Sequence, residues 1–135
     1  MIYLLDSNAM RDLMDGHPRV VAQLSKIVPP RVASATSIVR GEVLFGIERL
    51  PVGKRRDRLA ATAAAVFASV GEQPVPFAAG DVYARLKRER QQAGFPMDEN
   101  DLWIAATCLM LGAILVTRDS DFRNVPGLTV EDWSV

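Results

Sequence analysis

The sequence is poor in cysteine and histidine, with one residue of each type in 135. The single cysteine, Cys108, excludes a disulfide within the chain and suits a reducing compartment such as the cytoplasm. Together with the single histidine, His17, it supplies too few ligands for a His/Cys zinc site, which needs about three or four. Any metal that this chain binds must therefore be held by oxygen atoms.

Long hydrophobic runs are also absent. No apolar stretch reaches the roughly 18 residues that a membrane-spanning helix needs. The first ten residues, MIYLLDSNAM, contain no basic segment and meet an acid after five residues, so we expect no signal peptide. The hydrophobic fraction of 49% and the charged fraction of 24% are those of an ordinary globular protein. We expect a single domain over residues 1–135 with a substantial core.

Short apolar segments alternate with helical patterns along the chain. No repeat or linker interrupts the alternation, which predicts an α/β sandwich around a mostly parallel sheet. Thr36 or Ser37 can cap the third helix, and the last helix is apolar nearly all round, so we expect it to be central. Strands are predicted at 2–5, 31–35, 73–77, 112–117 and 128–133, and helices at 8–14, 18–28, 38–50, 54–70, 79–93 and 98–111.

Four of the 16 acids lie within or directly beside apolar segments that are predicted to form strands or helices. Asp6 ends the first strand, and Asp119 lies two residues beyond the segment ILVT. Glu42 lies within an apolar stretch of the third helix, and Asp101 opens the apolar last helix. Because functional residues of open α/β sheets gather beyond the carboxyl ends of the strands, these acids are candidates for one site. Asp121, two residues beyond Asp119, is a fifth candidate.

Each acid also has a structural interpretation. Asp6 and Asp101 can satisfy first-turn amides of helices, Asp119 can shape a turn, and Glu42 can point to solvent. As a cluster, however, the acids need protons or a cation, because two carboxylates about 4 Å apart repel by roughly 4 kcal/mol at an effective dielectric constant of about 20. An oxygen-only acidic cluster suits Mg²⁺ or Mn²⁺.

Three segments in order, YLLDSN, SATSIVRGEVLFGI and ENDLWIAATCLMLGAILVTRDSDFRNVPGL, resemble those of PIN-domain ribonucleases. More narrowly, the chain resembles the VapC and FitB-like toxins of bacterial toxin–antitoxin pairs. The resemblance covers essentially the full length. It implies one PIN-like domain over residues 1–135, a three-layer α/β/α sandwich whose central sheet has about five mostly parallel strands.

The resemblance also implies a site and a reaction. Asp6, Glu42, Asp101 and Asp119 would be the catalytic residues and the ligands of Mg²⁺, with Mn²⁺ as a possible substitute. The metal would support attack of water on an RNA phosphodiester, leaving a 5′-phosphate and a 3′-hydroxyl, without a serine, cysteine or histidine nucleophile. The supporting polar residues would be Asn8, Thr117, Ser7 in a position where threonine is usual, and Asp121, which competes with Asp119 for the last ligand position.

The implied partners are an RNA substrate, a small antitoxin and a second copy of the chain, in the cytoplasm and away from membranes. The net charge is zero, but the charges are unevenly distributed. When the four proposed metal ligands are set aside, 12 acids remain against 16 basic residues, so the rest of the chain carries a charge of +4. The basic segments can follow an RNA backbone or simply form solvated helix faces. The candidates for RNA binding are Arg55, Arg56, Arg58, Arg85 and Arg88.

Other functions of similar chains fit less well. A phosphorylated receiver domain needs adjacent acids after the first strand and a late lysine, and a haloacid-dehalogenase-type phosphatase needs an acid where Asn8 stands. The main alternative is a non-catalytic PIN-like domain that acts through a protein partner. Such a domain typically lacks one of the acids, whereas all four are present here. A ribonuclease assay with added Mg²⁺ or Mn²⁺ distinguishes the two.

Overall fold

Five short strands form one parallel sheet in a computed structural model that describes all residues from 1 to 135. The strands are β1 (Ile2–Leu5), β2 (Val32–Ala35), β3 (Gly71–Glu72), β4 (Ile114–Val116) and β5 (Thr129–Glu131). Their order is β3-β2-β1-β4-β5, and every neighbouring pair is parallel. The strand order therefore reverses between β1 and β4, where sheets of this type form a crevice at their carboxyl edge.

Six α-helices connect the strands. They are α1 (Ser7–Met14), α2 (Pro18–Ser25), α3 (Ser37–Glu48), α4 (Lys54–Ala68), α5 (Ala79–Gln92) and α6 (Glu99–Leu111). The crossovers from β1 to β2 and from β2 to β3 step in one direction, and the crossover from β3 to β4 steps back. Right-handed crossovers therefore place α1 to α4 on one face and α5 and α6 on the other. The packing of α1 against α3 and α4, and of α5 against α6, agrees with the predicted three-layer sandwich.

One core of 24 buried residues holds the layers together. β1 and β4 lie at its centre, with Leu5 and Leu115 no more than 1% exposed. Ala105 and Cys108 of α6 are fully buried, which confirms that the apolar last helix is central. No helix in the structure is both long enough and apolar enough to cross a membrane.

The strand predicted at 73–77 is wrong. The third strand precedes it, where Ser34 pairs with Gly71 and Ala35 with Glu72. The pairing ends when the amide of Gln73 donates to the Ala35 carbonyl at 3.0 Å, and the prolines that follow have no amide hydrogen to extend it. Gly71 lies close against β2, because a Cβ atom there would lie 2.9 Å from the Ser34 hydroxyl oxygen and would force that hydroxyl to move.

Several predicted elements are too long at their ends. The helix predicted at 18–28 ends at Ser25, and the strand predicted at 112–117 comprises only Ile114–Val116. Gly112 is in the left-handed conformation, φ 63°, which terminates α6 and delays the start of the strand. Of the two residues that could cap the third helix, Thr36 and Ser37, it is Thr36 that caps α3, since its hydroxyl accepts from the Val39 amide.

Candidate active site

Asp6 lies at the carboxyl end of β1 and is only 4% exposed. One oxygen, Oδ1, accepts from the Ala9 amide at 2.8 Å and so caps α1. The other, Oδ2, accepts from the Thr117 hydroxyl at 2.5 Å, and that hydroxyl accepts in turn from the Asp119 amide at 3.0 Å. Thr117 therefore joins the carboxyl ends of β1 and β4 and fixes the orientation of the Asp6 carboxylate. Asp6 serves as a cap and faces the crevice as well.

The pKa of Asp6 is raised, chiefly by burial, although the bonds from Thr117 and Ala9 act in the opposite direction. The charges of Asp119 and Glu42 raise that pKa further. These two acids belong to different elements, so their effect on Asp6 shows that three carboxylates face a common region at the carboxyl edge of the sheet.

Glu42 enters this region from α3. Its side chain is half-buried, and the Oε1 atom is buried without any hydrogen-bond partner. Burial raises the pKa of Glu42, while the neighbouring Asn100 amide and the Arg11 charge oppose the rise. A buried oxygen without a partner costs about 1–3 kcal/mol. The alternative in which Glu42 simply points to solvent is therefore wrong.

Asp101 is the third residue of α6. The N-cap is Asp98, whose side chain makes no capping bond, so Asp101 does not cap the helix. Burial raises the pKa of Asp101 to about 7, with further contributions from the charges of Asp119, Glu42, Asp98 and Asp6. All three other proposed ligands thus act on Asp101, and in the absence of a cation their charges favour the protonated form of this carboxyl group.

The structure distinguishes Asp119 from Asp121. The charge of Asp119 acts on both Asp6 and Asp101, whereas Asp121 is exposed and raises the pKa of neither. The Asp119 Oδ1 atom also accepts from the Asp121 amide at 2.9 Å and thereby begins a short 3₁₀ helix at Ser120–Asn124. Asp119 is the residue that the fold places with the other acids.

Two of the predicted supporting residues, Ser7 and Asn8, lie half-buried in the first turn of α1. They adjoin Asp6 along the chain but, unlike Thr117, form no side-chain hydrogen bond to it. The acids approach one another without converging on a point, since no three of them stand close enough to ligate one ion directly. A divalent ion that keeps several of its water ligands fits this arrangement, because Mg²⁺ is typically bound through one or two carboxylates and reaches other groups through water.

Not all of the predicted RNA-binding arginines are free. Arg56 forms an ion pair with Glu48 at 2.5 Å and joins the start of α4 to the end of α3. Arg85 is 3.8 Å from Glu89 within α5. The other three, Arg55, Arg58 and Arg88, are exposed and form no ion pair within the chain.

Two further arginines, Arg11 and Arg49, line a groove that begins at Glu42. Arg49 begins the basic segment at 49–58 that the sequence suggests for RNA, although it is not among the five candidate arginines, and Arg11 is not predicted at all. Arg49 also follows Glu42 by seven residues, so two helical turns place both on one side of α3. Arg11 belongs to α1 and carries no comparable signal in the sequence.

Comparison with known proteins agrees with this geometry. The PIN domain family model matches residues 3–128. The chain belongs to the PIN-domain family. Within that family it belongs with the VapC ribonucleases, since it is 31% identical to ribonuclease VapC5 of Mycobacterium tuberculosis over 75% of this chain and 73% of that one. Ribonuclease VapC1 of Haemophilus influenzae is 28% identical, with 99% of each chain covered.

The fold of this PIN domain is also found in solved structures. The structure of VapBC2 from Rickettsia felis, bound to a DNA fragment from their promoter, matches with a TM-score of 0.88 at 24% identity, covering 97% of this chain and 98% of that chain. The resemblance to PIN-domain ribonucleases of the VapC type and the α/β/α fold are therefore confirmed.

Proposed function

We propose that this PIN domain is a metal-dependent endoribonuclease and the toxin of a toxin–antitoxin pair. The observation that carries the proposal is the approach of Asp6, Glu42, Asp101 and Asp119 to one another at the crevice between β1 and β4, where the charges of Asp119 and Glu42 raise the pKa of both Asp6 and Asp101. A non-catalytic PIN domain has no need for four mutually repelling acids. Relatives that are named ribonucleases support the same conclusion.

The residues present suit a divalent cation. The donors are all carboxylate oxygens, the buried Oε1 atom of Glu42 lacks a partner, and the repulsion on Asp101 is relieved by positive charge. When bound, Mg²⁺ would polarise the phosphodiester and make a water molecule more acidic. We infer that the four acids would hold it, directly or through water.

The chain's own groups prepare the site for this ion. Thr117 donates to Asp6 and accepts from the Asp119 amide, so it sets the spacing between two of the acids. The bonds from Thr117 and Ala9 favour the ionised form of the Asp6 carboxylate and so oppose part of the effect of burial on its pKa. Asp101 would hold a cation as the carboxylate, because ligands must be deprotonated to bind metal.

The direct test of this function is an assay with single-stranded RNA. We expect cleavage in Mg²⁺ or Mn²⁺, complete loss in EDTA, and recovery when the metal is added back in excess. The products should carry a 5′-phosphate and a 3′-hydroxyl. An Asp6→Asn protein purified in the same way controls for contaminating ribonuclease. Cleavage by the parent that persists in EDTA would contradict the metal requirement.

The relatives also bear on partners. Solved neighbours are VapBC complexes and a toxin–antitoxin complex from Klebsiella pneumoniae, which supports an antitoxin as partner of this chain. We propose that the antitoxin blocks the acidic crevice with a basic segment, since an arginine fork pairs with carboxylates. We also propose that the protein forms a homodimer and acts in the cytoplasm, where the buried Cys108 would remain a thiol.

The basic start of α4 gives a separate prediction. Replacing Arg55 and Arg58 with glutamine should weaken RNA binding and lower the slope of its salt dependence by about 0.7 for each phosphate that is no longer neutralised. The matched change Arg56→Gln should instead lower thermal stability slightly, because that side chain is engaged with Glu48. The measurement is RNA affinity from about 50 to 200 mM salt. Equal affinities for the parent and the double variant would identify this segment as a solvated helix face.

A further inference from the structure

A groove of about 510 Å³ runs from Glu42 across the surfaces of α1, α3 and the start of α6. Arg11 of α1 and Arg49, which directly follows the last residue of α3, line it, together with Phe45 and with Asn100, which immediately precedes Asp101. We call it the α1–α3 groove. Because Glu42 belongs both to this groove and to the acidic crevice, a chain lying in the groove leads directly to the proposed metal ligands.

The two arginines of the α1–α3 groove are free to bind a ligand. Neither Arg11 nor Arg49 forms an ion pair within the chain, in contrast to Arg56, Arg85 and Arg118. Arg11 lies close enough to Glu42 for its charge to lower the pKa of that residue. Glu42, at one end of the groove, is therefore the only acid that lines it, and the two arginines leave the rest of the groove positively charged.

An aromatic side chain lies beside this charge. Phe45 is 64% exposed, and the Arg49 guanidinium lies 5.4 Å from the centre of its ring. An exposed ring next to a cation offers a flat surface on which an unpaired base can stack. On the same helix, Gly41 and Gly46 line the groove, and a Cβ atom at either position would meet nothing within 4 Å. The glycines thus widen the groove and are not required by packing.

We propose that the α1–α3 groove holds the single-stranded part of the RNA substrate next to the scissile phosphate. Arg11 and Arg49 bind backbone phosphates, because the guanidinium fork matches phosphate oxygens, and Phe45 stacks against a base. The inference rests on the proposed ribonuclease function and specifies where its substrate lies. A basic peptide is a poor occupant, since Arg11 and Arg49 would repel it.

The kinetics of Arg11→Gln, Arg49→Gln and the double variant test the inference. With a short single-stranded RNA in Mg²⁺, each change should raise KM about 10- to 150-fold, the effect of removing one charge-assisted hydrogen bond, with a much smaller effect on kcat. The slope of log KM against log salt should fall by about 0.7 for each arginine replaced. The matched control is Arg19→Gln, which removes an exposed, unpaired arginine of α2 and should leave KM and the slope unchanged.

A second variant changes the shape of the groove and leaves its charge unchanged. Gly46→Leu fills open space, so the protein should remain folded, but its KM should rise as in the arginine variants. If KM and the salt slope are unchanged in the arginine variants, while Asp101→Asn is inactive, the inference is overturned and the ribonuclease function stands. Variants that keep their RNA kinetics but lose inhibition by the antitoxin would overturn it too, in favour of a protein-binding groove. A parent protein that does not cleave RNA would overturn the proposed function and this inference together.

Discussion

Replacement of Asp101 by asparagine is expected to abolish RNA cleavage and, at the same time, to raise the melting temperature of the metal-free protein. The loss of activity should be about 100-fold or more, since several kcal/mol of charge stabilisation depend on an intact set of anionic ligands. The gain in stability follows because the variant lacks a carboxylate that burial and the charges of Asp119 and Glu42 destabilise.

The gain in stability should depend on pH with a definite sign. The pKa of Asp101 is about 7 in the folded chain against an ordinary value of 3.8. Between these values the folded state binds the proton more tightly than the unfolded state does, so this group stabilises the fold fully at low pH. That contribution is lost as the pH rises through about 7. The asparagine side chain does not titrate, so the difference between variant and parent should grow from pH 4 to pH 8.

The expected size of the difference is modest. Asp101 is only half-buried, so solvent screening reduces the effect to about 1–2 kcal/mol at pH 8, which corresponds to a rise of about 3–8 °C in Tm for a chain of this length. Melting curves in EDTA at pH 4 and pH 8 measure it, alongside an RNA assay. The control is Asp121→Asn, which should change neither activity nor the pH dependence. A variant with lower Tm and retained activity would identify Asp101 as a purely structural first-turn residue.

Expression of the chain by itself in bacteria should stop growth, and expression of the small protein encoded beside it should restore growth. An endoribonuclease that turns over many times depletes RNA far out of proportion to its own amount, so the loss of colonies should span orders of magnitude. Relief requires that the partner occupy the acidic crevice, which is open to solvent at Glu42 and Asp101.

Two controls make this result specific. The Asp101→Asn protein, expressed to the same level, should be harmless while still binding the partner, which separates catalysis from association. Harmless expression of the parent, with purified protein that cleaves RNA, would contradict the toxin assignment and leave the ribonuclease function intact.

Much of the architecture follows from local patterns in the sequence. The segment IYLL before Asp6 and the apolar run from 102 to 111 are recognisable because burial on both sides leaves no polar face. The candidate acids follow from the same patterns, since a carboxylate at the end of a buried strand or helix stands out against apolar neighbours. The third strand was misplaced because a two-residue strand has almost no pattern of its own, and the apolar residues of 73–77 suggested one that the prolines prevent.

The sequence by itself therefore determined the α/β alternation and the family and limited the candidate acids to five, because each depends on residue type and local spacing. Only the tertiary structure decided which groups interact. Thr117 donates to Asp6 across 111 positions of sequence, and Arg11 reaches Glu42 from a different helix. The same holds for the pairing of Arg56 with Glu48, for the position of Asp119 rather than Asp121 beside the other acids, and for the raised pKa of Asp101. Electrostatic interactions depend on distance in space and on burial, and neither quantity is contained in the order of residues along the chain.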